Sequence, residues 1–135
     1  METLAGLASG TLQPVAQDES RATHAPLLTK EHGRVDWSLP ARTIACRARG
    51  FHPWPGAFTW HEGRLLKLLR VREAGPPPSA CEPGLVALVD GDGVTVACGD
   101  GTQLRLEEVQ PESRRAMPAS AWAQGARLRV GARLG

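Results

Sequence analysis

The spacing of apolar residues along this chain changes twice, and each change predicts a different kind of structure. In residues 1–10, Leu4 and Leu7 recur at helical spacing and the stretch ends on Gly10, a residue suited to a helix C-terminus. A helix so short, with one weak apolar edge, is marginal in isolation, so it reads as the tail of something larger. Residues 11–33 keep no period and contain Pro14 and Pro26, which predicts an extended linker laid over a surface. Helical spacing returns after Asp36. Asp36 or Ser38 is the expected N-cap, Pro40 falls in the first turn, and Ile44, Ala48 and Phe51 share one face. Arg42, Arg47 and Arg49 lie mostly off that face, so the helix is basic outside. His52-Pro53-Trp54-Pro55-Gly56 then ends it, because neither proline can continue a helix and each constrains the residue before it.

Beyond Gly56 the pattern alternates. AFTW and RLLKLLRVREA flank His61-Glu62-Gly63, the signature of a hairpin. GPPPSACEP reads as a rigid surface loop. GLVALVD and VTVACGD flank Gly91-Asp92-Gly93, and TQLRLEEVQP follows a turn at Gly99-Asp100-Gly101. A short helix is expected from Met117 to Gln124, ended by Gly125, and RLRVGARL is expected as a closing strand. Many short antiparallel strands with a helix in front predict a mainly β fold, a small closed or nearly closed barrel. Closure also removes the edges such strands would otherwise expose.

Composition narrows the class. At 135 residues, with Gly 15 and Pro 11, the chain is one turn-rich domain with a tail. No apolar run approaches the roughly 20 residues of a membrane span. The start, METLAGLASGTLQP, has an acid at position 2 and no basic stretch, unlike a signal peptide. Cys46, Cys81 and Cys98 are isolated and outside any CxxC pattern, which fits a reducing cytoplasm. His24, His32, His52 and His61 show no metal-ligand spacing, so no metal site is expected. The Gly-Asp-Gly repeats lack the alternating oxygens and distal Glu of a calcium loop and read as hairpin turns. Cys98 follows an alternating strand and reads as a small buried apolar residue.

Four ordered blocks carry a resemblance. They are Asp36-Trp37-Ser38, Pro53-Trp54-Pro55-Gly56-Ala57-Phe58-Thr59, Ala97-Cys98-Gly99-Asp100-Gly101 and Gln110-Pro111-Glu112. In this order they resemble the C-terminal domain of methionyl-tRNA formyltransferases. Gly10, Pro14, Gln17-Asp18, Ala22-Thr23, Ala25-Pro26 and Leu28-Thr29-Lys30-Glu31 are similar to that family's interdomain segment. The resemblance implies an open Greek-key, OB-like barrel over residues 34–135, a linker over 11–33, and at 1–10 the end of a catalytic domain's last helix. It also implies the class of reaction: the full-length enzyme formylates initiator Met-tRNA with 10-formyltetrahydrofolate for translation initiation. The catalytic Asn, His and Asp that the resemblance implies for that enzyme, and its folate pocket, have no counterpart in this chain, so no catalytic or cofactor-binding residue is expected. Five positions depart from the family pattern: Ser113-Arg114 replaces Gly-Lys, Ala45 replaces a helix His, His52 replaces Asn, and Trp122 replaces Phe.

Net charge is only +2, but it is unevenly placed. After Glu112 the chain has five arginines, Arg114, Arg115, Arg127, Arg129 and Arg133, and no acid. Arginine suits bidentate phosphate contacts. In a closing strand, Arg127 and Arg129 would share a face with Arg133 and track a phosphate backbone. Arg42 and Arg49, seven apart on the helix, are the other candidates for tRNA contact. The alternative for all of them is a solvated surface that keeps the barrel soluble. Trp54 is a possible base-stacking platform, but its expected role is to pack the helix end onto the barrel. The chain thus reads as a non-catalytic tRNA-binding module, with a separately encoded catalytic half as its possible partner. The rival readings are a non-functional remnant and an accessory domain of another formyltetrahydrofolate-dependent formyltransferase.

Overall fold

The computed structural model describes residues 2–12, 15–75 and 81–135. The expected loop after Gly75 lies mostly outside the described residues, as do Met1 and Pro14. Helix α1 (Glu2–Ala8) is followed by Gly10 in the left-handed region, as its sequence suggests. The linker is irregular, broken by two 3-10 turns at Glu19–Arg21 and Lys30–Gly33.

Helix α2 (Ala41–Gly50) starts later than expected, and neither Asp36 nor Ser38 caps it. The Asp36 carboxylate is already engaged, accepting from the Ser38 N–H at 3.0 Å and the Ser38 hydroxyl at 2.6 Å. The free N–H of Ala41 is instead met by Thr102 Oγ1 at 2.8 Å, from 61 residues away. A tertiary cap therefore does what a local one was expected to do. Ala41, Ile44 and Ala45 are buried and Ala48 packs behind them. The family's usual helix His would have to fit where Ala45 is sealed against the sheet.

Strands β1 (Ala57–His61), β2 (Arg64–Ala74), β3 (Val86–Asp90), β4 (Gly93–Ala97), β5 (Gln103–Pro111) and β6 (Met117–Pro118) form one antiparallel sheet. Its order is β1-β2-β5-β4-β3, with β6 on β5. The meander β3-β4-β5 returns beside β2, which is Greek-key topology. Glu62 (φ +49°) and Gly63 (φ +75°) turn the β1–β2 hairpin with both central residues left-handed, the type I′ geometry. Helix α3 (Ala119–Gly125) packs across β4 and β5, and α2 across β2 and β5. Leu66, Val94, Val96, Leu104, Leu106 and Val109 are almost wholly removed from water between them. Burying one such side chain contributes about 1.5–3 kcal/mol.

The closing strand does not form. Arg127 has φ +51° and Gly131 φ +87°, so residues 127–134 kink rather than extend. They still close the sheet. Val86 N–H donates to Ala132 O (2.8 Å), Gly131 N–H to Val86 O (2.8 Å) and Leu134 N–H to Gly84 O (2.9 Å) on the β3 side. Gly135 N–H donates to Trp60 O (2.9 Å) on β1. The tail thus bridges both sheet edges, with Leu134 buried as a plug.

Candidate nucleic-acid interface

The quoted sequence blocks turn out to be joints of the barrel. The turn at Asp36 lays Trp37 into the core, where its indole N–H donates to Thr59 Oγ1 at 3.2 Å. Gly99 donates to Trp37 O at 2.9 Å, and a Cβ on Gly99 would collide with the carbonyl oxygen of Ser38. Only glycine permits that approach. The hydrogen bonds from Ser38 hold the Asp36 carboxyl below its ordinary range. Cys98 is buried, and that burial pushes its thiol up to about 12, so it is no nucleophile. Ser113, where the family usually has Gly, sits at φ +58°, a strained conformation that glycine adopts freely.

Trp54 does not pack the helix end onto the barrel. It is 59% exposed, at the tip of a loop closed by the 2.9 Å bond from Gly56 N–H to Phe51 O. The expectation failed because the apolar side of this corner is already filled by Phe58 and Ala57, with Phe51 half-buried beside them.

The candidate arginines divide into two groups and a remainder. Arg42 and Arg49 are exposed on α2, a helix without an acid. Arg49 donates to Cys46 Sγ at 3.2 Å, and Arg47 and Arg49 also suit the negative end of the helix dipole. Arg114 lines an open groove between the β1–β2 turn, the β5–β6 turn and α3, with His61, Arg64, Glu112 and Trp122. Gln110 Nε2 donates to Arg114 O at 2.9 Å and fixes this turn. Arg115 follows it, and Arg127 comes directly after Ala126, another residue of the groove wall. Arg129 is exposed beyond it. Arg133 points elsewhere. It pairs with Glu82 at 2.7 Å and donates to Pro83 O at 3.3 Å. The row of Arg127, Arg129 and Arg133 on one strand face is therefore not formed.

Two arrangements are not legible from the sequence: the burial of Arg105 and the pairing of the cations along β2. Arg105 is buried under the β3–β4 turn, donating to Asp90 and, at 3.2 Å, to Thr95 Oγ1. Its partner lies 15 residues away in sequence, so only the fold shows that this cation is structural. Along β2, Arg64, Lys67, Arg70 and Arg72 are all exposed. A bulge near Arg70 breaks strict alternation, so that Arg72 comes to the exposed side with Lys67 while Val71 is buried. Arg70 and Arg72 share Glu107, at 3.0 and 2.7 Å. Among the described residues no group of acids, His and Cys is arranged to hold a metal ion, and no helix is long and apolar enough to cross a membrane.

The groove beside Trp122 is open, with Glu62, Arg64, Glu112 and Arg114 in its wall beside Leu65, Leu66, Met117 and Trp122, and lacks the enclosure that a flat heterocycle such as a folate needs.

An antiparallel Greek-key barrel with helices at two corners, joined through these motif residues, defines the class of fold. The family model described as "Formyl transferase, C-terminal domain" matches residues 27–127, so the chain belongs to that family. Methionyl-tRNA formyltransferase of Heliobacterium modesticaldum is 45% identical over 142 residues, covering 100% of this chain and 45% of the relative. That of Anaeromyxobacter dehalogenans is 50% identical over 127 residues, covering 93% of this chain and 41% of the relative. The chain thus spans under half the length of these relatives. In fold it is similar to HypX from Aquifex aeolicus solved with tetrahydrofolic acid, with TM-score 0.63 and 20% identity, over 96% of this chain and 22% of that one.

Proposed function

We propose that this chain is the tRNA-holding portion of a cytoplasmic methionyl-tRNA formyltransferase, acting in translation initiation. In this reading residues 34–135 form the binding domain, 11–33 the linker, and 1–10 the end of a catalytic domain's last helix. Formyl transfer from 10-formyltetrahydrofolate takes place on polypeptide outside this chain, which itself supplies no catalytic group. Whether that polypeptide is encoded separately or continuously does not alter the role of the barrel.

One observation carries the reading. Arg42, Arg114, Arg115, Arg127 and Arg129 are exposed and make no ion pair among the described residues, on a domain whose relatives are named for a tRNA substrate. Exposed arginines left without carboxylate partners are available to phosphates. The contacts are electrostatic, so recognition is of tRNA shape rather than sequence. Titrating initiator tRNA at several salt concentrations tests this. Affinity is expected to fall steeply with salt, and Arg114→Ala with Arg115→Ala to lower the slope of log K against log salt by about 1 per lost phosphate contact. Weak binding indifferent to salt would contradict the reading.

A further inference from the structure

The corner formed by the end of α2 and the loop at residues 51–56 combines the exposed Trp54 with a set of cations. His52 N–H donates to Arg49 O at 3.3 Å and Gly56 N–H to Phe51 O at 2.9 Å, so the loop folds back on the last helical turn. Gly33 lies so close to Gly56 that a Cβ on it would meet Gly56's carbonyl oxygen. That contact sets Arg34 beside the base of the loop, its guanidinium 5.0 Å from the Trp60 ring centre. Arg34 and Arg47 line one crevice with Phe51 and Ala57. The acid in this crevice, Asp36, takes hydrogen bonds from Ser38 and acts electrostatically on Arg47 and Arg34, though none of these cations forms a direct ion pair with it. Trp54 is the one large aromatic ring, among the described residues, that is well exposed.

We propose that Trp54 is a stacking platform for an unpaired nucleobase of the bound RNA, with the adjoining phosphates on Arg34, Arg47 and Arg49. This rests on the tRNA-binding reading and deepens it by naming what one surface holds. A protein partner would favour a contiguous apolar patch. Trp54 stands instead between Pro53 and Pro55, on the loop that directly follows the basic last turn of α2 with Arg47 and Arg49. An indole face beside guanidinium groups is the chemistry that single-stranded nucleic acid uses, because every base offers a π-face and each step brings a phosphate.

The test uses the full chain and tRNA, with a fully paired, blunt RNA duplex as the second probe. Trp54→Ala and Trp54→Leu are expected to weaken tRNA binding about tenfold, within the range for losing one base–aromatic stack. Trp54→Phe, which keeps a ring, is expected to stay near wild type. The salt slope is expected to be unchanged in all three, and binding of the blunt duplex unaffected. Because Trp54 is mostly exposed, thermal melting of the variants is expected to match wild type. Tryptophan emission quenched by tRNA in wild type but not in Trp54→Phe locates the stack. Variants that bind tRNA like wild type, with emission at Trp54 unchanged, overturn the inference and leave this surface to a protein contact, while salt-dependent binding itself survives. Loss of affinity in Trp54→Phe equal to that in Trp54→Ala also overturns it. Salt-independent binding by the wild-type chain would instead strike at the underlying reading.

Discussion

Residues 2–29 and residues 34–135 share a similar mix of apolar and polar side chains but use them in opposite ways. In the first region Leu4 is 70% exposed, Val15 92% and Leu27 92%. In the second, leucines and valines of four strands meet in one closed core, with Ile44 and Trp122 from the helices and Trp37 from the turn before α2 sealing it. Apolar content alone therefore does not make a folding unit. Stability requires partners brought together by strand register and by long-range joints such as Ala41 to Thr102 and Gly135 to Trp60. Among its described residues the first region is held by local bonds, such as Thr29 N–H to His32 Nδ1 at 2.9 Å.

The largest expected effect lies at the centre of the core. Leu104→Ala removes a side chain with no exposure and is expected to cost about 3–4 kcal/mol by urea denaturation, since transfer and cavity terms add. A loss under 1 kcal/mol would mean that the core is loosely packed. Next comes the buried cation. Asp90→Asn leaves Arg105 with only the distant, exposed Asp92 at 3.9 Å, and the expected cost is roughly 1–3 kcal/mol, below a fully buried pair because Asp90 is partly exposed.

This pair also sets a pH dependence. The hydrogen bond from Arg105 lowers the Asp90 pKa in the folded state. Its contribution is therefore complete above the unfolded carboxylate value of about 3.9 and fades as pH falls through the lower folded value. The stability gap between wild type and Asp90→Asn is expected to hold from neutral pH down to about 4 and to close below it. A gap that stays constant into strong acid would rule out this ion pair. The smallest effect belongs to the other region. Deleting residues 1–26 is expected to change the stability of the remainder by no more than about 0.5 kcal/mol, because none of the described side chains there is buried.

Much of the barrel was legible in the sequence, and the exceptions have specific causes. Asp-Gly and Glu-Gly between alternating runs fixed the hairpins, and β2 falls on the run RLLKLLRVREA itself. The start of α2 was misread because Asp36 bonds Ser38, while the N–H it was expected to satisfy is met across the fold. The last strand was misread because RLRVGARL alternates correctly, yet Arg127 and Gly131 take left-handed conformations that no periodicity reveals. For the candidate interface, residue type was legible and availability was not. Arg105 and Arg133 look like any other arginine until their partners Asp90 and Glu82 appear. Trp54 looked like core because tryptophan usually is, and only the filled corner beneath it shows otherwise.

The contrast between the two regions and the role of the free arginines meet in one measurement: backbone amide shifts of the full chain during titration with initiator tRNA. The expected result is that perturbed amides fall within residues 34–56, 112–116 and 125–130, with the core strands β4 and β5 unmoved. Shifts confined to residues 2–29, or none at all at low salt, would contradict the account.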